Sequence, residues 1–270
     1  MAVKTGFIGT GNMGGAILKC LSRQNGRYEL FAYELNTKLA DELSRKYPVS
    51  FLDSIWELVK TCQVIIAAVK PAQMDTVMKQ CTDSFDSSKL FITIAAGLPI
   101  KYYENFLGKD SKIVRTMPNT PALIGEGMTI VSYGKNVEKV EAELVNDIFS
   151  SVGKVEEMPE SMMSEVIALT SSSPAYVFMM LEAMADAAVR AGIPRNTGYR
   201  LAAQAVSGSA RMVLETGMHP GILKDMVCSP SGTTIEAVAT LERNGFRNAI
   251  IEAMDNCTKR AREIGREIDK

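Results

Sequence analysis

Three glycines near the start of the chain have the spacing of a dinucleotide-binding turn. Gly9, Gly11 and Gly14 follow a short apolar run that we predict to be a buried strand, and Asn12 and Met13 begin a predicted helix. The glycines therefore lie at a strand-to-helix turn, where helix N–H groups can hold a pyrophosphate. Gly9 permits the tight turn, Gly11 leaves room for phosphates, and Gly14 lets the helix pack closely on the strand. Because the flanking strand and helix agree, we favour cofactor binding over an ordinary glycine-rich turn.

Three further turns follow predicted strands at the edge of the sheet where a ligand binds in this kind of fold. The turn after the strand at 63–69 can pass beneath a nicotinamide ribose, and small residues after the strand at 90–95 would let a flat ring approach. After the strand at 112–116, two prolines bracket an Asn-Thr pair in what we expect to be a rigid loop. Each segment could also be a simple tight turn. The candidate cofactor-binding residues in these turns are Ala68, Val69, Lys70, Pro71, Ala95, Ala96, Gly97 and Asn119.

Glu34 lies about 20 residues beyond the glycine turn, where an acidic side chain can bind the hydroxyl groups of the adenosine ribose. A carboxylate there repels a 2′-phosphate and so slightly favours NADH over NADPH. Asn36, Thr37 and Lys38 could bind that phosphate if Glu34 turned away, so the choice between NAD and NADP stays open.

A polar turn stands out in the second half of the chain. Ser229, Gly232, Thr233 and Thr234 precede or begin a predicted amphipathic helix, offering hydroxyl groups and free N–H groups at its start. Such a site binds a carboxylate well. An ordinary helix N-cap would have the same sequence.

The order of the predicted elements indicates two domains. Residues 1–160 alternate strands with helices, which predicts an α/β domain with a mostly parallel sheet. Residues 161–270 are rich in Ala, Met, Leu and Glu and predict an all-α domain. Its helix at 173–191 is apolar on most faces, so we expect a second subunit to help cover it. The alternative is the central helix of a self-contained bundle.

Composition narrows the class of protein. With 270 residues, 46% hydrophobic residues and a net charge of −1, the chain predicts a soluble globular protein without a nucleic-acid or membrane partner. We expect no signal peptide, because the first strand begins near Val3, and no apolar segment near the roughly 20 residues that span a bilayer. Five scattered cysteines and a single histidine, His219, predict a cytoplasmic protein with no metal site.

Together these segments resemble the pyrroline-5-carboxylate reductase family over nearly the whole chain. The specific matches are Met117-Pro118-Asn119-Thr120-Pro121 and the Ser-Pro-x-Gly-Thr-Thr-Ile segment ending at Ile235, supported by Val69-Lys70-Pro71 and Ser173-Pro174-Ala175-Tyr176. The resemblance implies a Rossmann-type domain followed by an all-α dimerisation domain that interleaves with its mate in a homodimer, with decamers of five dimers in some members. It also implies reduction of the cyclic imino acid 1-pyrroline-5-carboxylate to L-proline by NADPH or NADH.

The resemblance further implies roles for the polar turn. The backbone of Gly232, Thr233 and Thr234 would hold the substrate carboxylate, and the Thr234 hydroxyl would face the ring nitrogen as the candidate catalytic group. The family usually has glycine where this chain has Ser231, Ser171 and Ser173. We expect the nucleotide turn and the polar turn to serve one cleft.

Two other functions are compatible with parts of the pattern. A β-hydroxyacid dehydrogenase has a similar layout, but it uses a lysine early in the long central helix, and this chain has no lysine between Lys154 and Lys224. A non-catalytic nucleotide sensor would keep the three glycines but would not need the turn at Thr234.

Overall fold

The computed structural model describes residues 2–24 and 26–268. Its first part contains an eight-stranded sheet in the order β3-β2-β1-β4-β5-β6-β7-β8. All neighbouring strands are parallel except β6 and β7, which are antiparallel. The prediction of an α/β fold with a mostly parallel sheet is confirmed. The strands are β1 Val3–Ile8, β2 Tyr28–Tyr33, β3 Val49–Phe51, β4 Val64–Ala67, β5 Leu90–Thr93, β6 Lys112–Met117, β7 Gly127–Tyr133 and β8 Gly153–Glu157.

Helices connect these strands and continue to the end of the described chain. Two 3₁₀ helices lie at Thr120–Ile124 and Glu160–Met162. The helices are α1 Asn12–Leu21, α2 Thr37–Lys46, α3 Ile55–Thr61, α4 Pro71–Cys81, α5 Ile100–Leu107, α6 Lys139–Ser150, α7 Met163–Thr170, α8 Ser173–Arg190, α9 Arg195–Thr216, α10 Pro220–Val227, α11 Thr233–Arg243 and α12 Phe246–Ile268.

Helices cover both faces of the sheet. Because consecutive strand residues point to opposite faces, each strand contributes side chains to both apolar cores. Phe7 packs in the core beneath α1 and α6, whereas its neighbour Ile8 packs in the core beneath α3, α4 and α5. The same alternation places Ile66 on the first face and Ile65 on the second. Two apolar layers therefore hold the carboxyl ends of the strands in fixed positions.

The order in which the chain adds strands to the sheet reverses between β1 and β4, although these two strands are parallel. The chain moves outward from β1 to β2 and β3, then returns to β4 on the other side of β1. In doubly wound sheets a crevice opens at the carboxyl ends of the two strands that flank such a point. This fold therefore positions the turns after Ile8 and Ala67 at one ligand-binding edge.

The chain divides into two compact units, one of residues 1–171 with 258–270 and one of residues 172–257. Within the second unit α8 and α9 pack through small residues: a Cβ atom at Gly198 would lie 3.1 Å from the Cβ atom of Ala188. The predicted boundary between 160 and 161 falls within the second 3₁₀ helix, Glu160–Met162, and the outer limits at residues 1 and 270 lie outside the described residues.

One prediction about apolar segments is wrong. Within residues Glu160–Arg190 an 18-residue window has a mean hydropathy of 1.3, so this segment is long and apolar enough to cross a membrane by length and composition only. The segment is divided by a turn at Ser171 and Ser172 into α7 of 8 residues and α8 of 18 residues. Because Ser171 and Ser172 interrupt the apolar residues, the sequence pattern did not show that the segment as a whole is apolar.

Candidate functional site

A groove of about 950 Å³ lies at the carboxyl edge of the sheet, where β1 and β4 end. Its volume is within the range of small-molecule and cofactor sites. It brings together residues from four turns that are distant in sequence. Of the predicted cofactor-binding residues, the groove is lined by Gly9, Gly11, Asn12, Met13, Glu34, Ala68, Val69, Lys70, Pro71, Ala95 and Ala96.

The glycine turn has the geometry that a bound pyrophosphate requires. Gly9 has a φ of +87°, which favours glycine, and a Cβ atom at Gly14 would lie 2.4 Å from the Gly9 carbonyl oxygen. A Cβ atom at Gly11 would meet no atom within 4 Å and would project into open space beside the groove. Backbone N–H groups at the start of α1 are thus open to a ligand. These residues fit a dinucleotide cofactor.

Glu34 follows β2 and is half-buried beside the groove. Its Oε2 accepts hydrogen bonds from the Thr10 N–H at 2.8 Å and the Thr10 hydroxyl at 3.0 Å, and its Oε1 accepts one from the Asn36 N–H at 2.9 Å. Burial acts to raise the pKa of Glu34, but the hydrogen bonds from Asn36 and Thr10 outweigh it and lower the pKa overall. The carboxyl group is therefore ionised at neutral pH.

One wall of the groove, which α4 supplies, was not predicted from the sequence. Gln73, Thr76 and Gln80 line it from the helix that Pro71 begins. Their spacing of three and four residues places them on one helix face, a signal that was present in the sequence. The Gln73 side chain also accepts a hydrogen bond from the Lys70 N–H at 3.3 Å, which ties the turn after β4 to the helix.

Three predicted cofactor-binding residues do not line the groove. Gly14 lies beneath the turn, against Gly9 and Ala68. Gly97 adopts a φ of +86° after β5. The Asn119 amide donates to the Thr170 carbonyl at 2.9 Å, and its Oδ1 accepts from the Met128 N–H at 2.9 Å, so this side chain braces its own loop. Direct contact of Gly97 and Asn119 with a nucleotide stays a prediction.

The second candidate site is the turn at 229–232 that begins α11. The Gly232 N–H donates to the Ser229 carbonyl at 3.1 Å, closing the turn, and Gly232 is the N-cap of α11. Within the described residues, the hydroxyl groups of Thr233 and Thr234 make no hydrogen bond that would occupy them. The turn therefore presents unsatisfied N–H groups and hydroxyls together, as carboxylate recognition requires.

Ser231 is strained in this turn. It has a φ of +59° and is the one non-glycine residue with positive φ in the part of the chain that the structure describes. The left-handed region costs a non-glycine residue roughly 1–2 kcal/mol. We therefore expect Ser231→Gly to raise the free energy of unfolding by about 0.5–1 kcal/mol, since glycine's greater freedom when unfolded offsets part of the relief.

Thermal and denaturant unfolding would measure this change. Ser231→Ala is the matched control, because alanine also has a Cβ atom and should give no such gain. Equal stabilisation by both variants would contradict the assignment of strain to this backbone conformation.

A doubly wound sheet whose glycine turn and groove fit a dinucleotide, followed by a helical unit, places the chain among the nicotinamide-nucleotide-dependent oxidoreductases. Within the described residues, no group of three or more His, Cys, Asp or Glu side chains could hold a metal ion. Two family models match the chain: "NADP oxidoreductase coenzyme F420-dependent" over residues 4–97 and "Pyrroline-5-carboxylate reductase dimerisation" over residues 160–264.

The particular family follows from relatives that match along the full length. The chain is 46% identical to the pyrroline-5-carboxylate reductase of Escherichia coli K12, over 98% of this chain and 100% of that protein. It therefore belongs to the pyrroline-5-carboxylate reductase family, as the sequence motifs predicted.

Solved structures agree with this assignment. Plasmodium falciparum pyrroline carboxylate reductase with NADP bound is 34% identical, with a TM-score of 0.87 over 97% of this chain and 98% of that one. A pyrroline-5-carboxylate reductase from Coxiella burnetii is 33% identical, with a TM-score of 0.90 over 98% of this chain and 99% of that one. The likeness covers both units of the chain.

Proposed function

We propose that this protein reduces 1-pyrroline-5-carboxylate to L-proline with a nicotinamide nucleotide, NADPH or NADH. The observation that carries the proposal is the polar turn at 229–234, because a nucleotide groove alone is common to many oxidoreductases. The full-length relationship to reductases of this name supports the same substrate.

The substrate carboxylate would bind at the start of α11. The N–H groups of Thr233 and Thr234 lie in the first turn of an 11-residue helix, whose partial positive charge favours an anion. The Gly232 N–H, predicted to share this role, donates to the Ser229 carbonyl instead. Ser229 closes the turn through its carbonyl group. The Thr234 hydroxyl would then face the ring nitrogen and hold it in position.

The bound cofactor would supply the hydride that reduces the imine carbon. The residues of this chain would bind and orient: the glycine turn would hold the pyrophosphate, and the turn after β4 would lie beneath the nicotinamide ribose. An iminium substrate already carries its nitrogen proton, so no strongly acidic or basic side chain is required. Catalysis would therefore rest on proximity and orientation.

Purified protein with racemic pyrroline-5-carboxylate and each reduced nucleotide separates this proposal from its alternatives. Oxidation of the nucleotide with formation of L-proline is the expected result. Turnover only with a 3-hydroxy acid would indicate a β-hydroxyacid dehydrogenase, and nucleotide binding without any turnover would indicate a sensor.

We also propose that the protein is a cytoplasmic homodimer with a nucleotide-binding domain at 1–160 and a helical domain at 161–270. On α8 several large apolar side chains are exposed, including Phe178 at 56% and Met179 at 68%. Exposed apolar surface of this kind is typical of an interface. The match to a dimerisation family model from residue 160 supports the same assignment.

Phe178→Glu is expected to shift the protein from dimer toward monomer, because a buried interface would have to hold an unpaired charge. Size-exclusion chromatography with light scattering would measure the mass and would also distinguish a dimer from a decamer of five dimers. Phe178→Leu is the control and should keep the assembly of the unmodified protein. A monomeric unmodified protein at micromolar concentration would contradict the dimer.

A further inference from the structure

Glu34 lies near the expected position of the adenosine ribose, the part of the nucleotide that differs between NADH and NADPH. It follows β2 immediately and lines the groove together with Gly9 and Gly11. In doubly wound folds the end of this strand faces the adenosine ribose, which carries a 2′-hydroxyl in NADH and a 2′-phosphate in NADPH. A charge at this position therefore affects the binding of NADH and the binding of NADPH differently.

The carboxylate cannot turn away without losing several contacts. One oxygen is held by the N–H and hydroxyl groups of Thr10 in the glycine turn, and the other is held by the N–H group of Asn36. These donors belong to two different loops, so a rotation of the side chain would break three hydrogen bonds to a charged group at once. Thr10 is itself 2% exposed, which leaves water little access to replace its contacts.

Asn36 and Lys38, which could have bound a phosphate, do not line the groove. The Asn36 side chain is the N-cap of α2, with its Oδ1 accepting from the Leu39 N–H at 3.3 Å. Lys38 is exposed and lies beside Asp41 and Glu42 on α2, outside the groove. Neither residue therefore places a positive charge in the groove lining beside Glu34.

Lys70 is the one lysine or arginine among the described residues that line the groove. It follows β4, which is separated from β2 by β1. Two strand spacings correspond to roughly 10 Å between the strand ends. Its charge is therefore placed toward the other half of a dinucleotide rather than beside Glu34.

We propose that Glu34 determines cofactor choice in this protein and gives it a preference for NADH over NADPH. The carboxylate accepts hydrogen bonds from ribose hydroxyls and repels a 2′-phosphate, and among the described residues that line the groove the one cation, Lys70, follows a different strand. The proposal rests on the proposed reductase function for its biological meaning, but the nucleotide preference can be measured without the imine substrate.

Binding of NADH and NADPH to the intact protein would be measured by titration calorimetry at low ionic strength. The expected dissociation constant for NADH is at least about tenfold lower than that for NADPH, a difference of about 1.4 kcal/mol. Glu34→Gln keeps the shape of the side chain but removes its charge. It is expected to reduce the preference at least about fivefold, mainly by tightening NADPH binding.

Glu29→Gln is the matched control, because Glu29 is exposed on the same strand and its removal changes the net charge equally. It should leave the ratio of the two dissociation constants unchanged. Equal or tighter binding of NADPH by the unmodified protein would overturn the proposal, as would an unaltered ratio in Glu34→Gln. Failure to bind either nucleotide would instead contradict the reductase function. NADH-selective binding without imine turnover would leave the role of Glu34 supported.

Discussion

Replacement of Gly11 by valine is expected to weaken nucleotide binding by at least about a hundredfold, or about 2.8 kcal/mol, while the protein stays folded. A Cβ atom at this position meets no protein atom within 4 Å, so the added side chain enters the groove rather than the core. Gly11 also has a φ of −60°, which L-residues readily adopt. Titration with NADH and NADPH would measure the loss, and thermal unfolding would show that the fold is kept.

Gly14→Val provides the contrast within the same motif. Its Cβ atom would lie 2.4 Å from the Gly9 carbonyl oxygen and 2.9 Å from the Ala68 side chain, so this variant should lose stability as well as binding. Normal nucleotide affinity in Gly11→Val would contradict the assignment of the glycine turn to the pyrophosphate.

Thr234→Ala is expected to lower kcat/KM for the imine at least about tenfold, as loss of one hydrogen bond to a charged group predicts. Within the described residues the Thr234 hydroxyl has no hydrogen-bond partner, and alanine favours a helix more than threonine does. The variant should therefore be at least as stable as the unmodified protein. Steady-state kinetics with saturating nucleotide would measure the effect.

Two comparisons make this result specific. Thr234→Ser keeps the hydroxyl group and should retain most of the activity, and nucleotide affinity should be unchanged in both variants. If Thr234→Ala has the kinetics of the unmodified protein, Thr234 has no part in the reaction.

Most of the sheet could be predicted because its strands carry strong local signals. Buried parallel strands are short apolar runs, and the strands predicted at 63–69, 90–95 and 112–116 correspond to β4 Val64–Ala67, β5 Leu90–Thr93 and β6 Lys112–Met117. The three-residue β3 and the helix α5 were missed because each is too short for a clear periodicity. The antiparallel pairing of β6 and β7 could not be predicted, because an apolar run does not show the direction of the strand that pairs with it.

Those parts of the site that depend only on the spacing of residues along the chain could be predicted. The three glycines, Glu34 and the turn after β4 are local signals, and the structure brings residues from all of them to one groove. The orientation of the Glu34 carboxylate could not be predicted, because it depends on Thr10, which is 24 residues away. The bracing role of the Asn119 side chain likewise depends on Thr170, 51 residues along the chain.

The most direct test of the account is the product formed from pyrroline-5-carboxylate by the purified protein with a reduced nicotinamide nucleotide. We predict that L-proline appears in equal amount to the nucleotide oxidised, and that Gly11→Val and Thr234→Ala each slow its formation. Nucleotide oxidation without L-proline, or full activity in both variants, would contradict the proposed function.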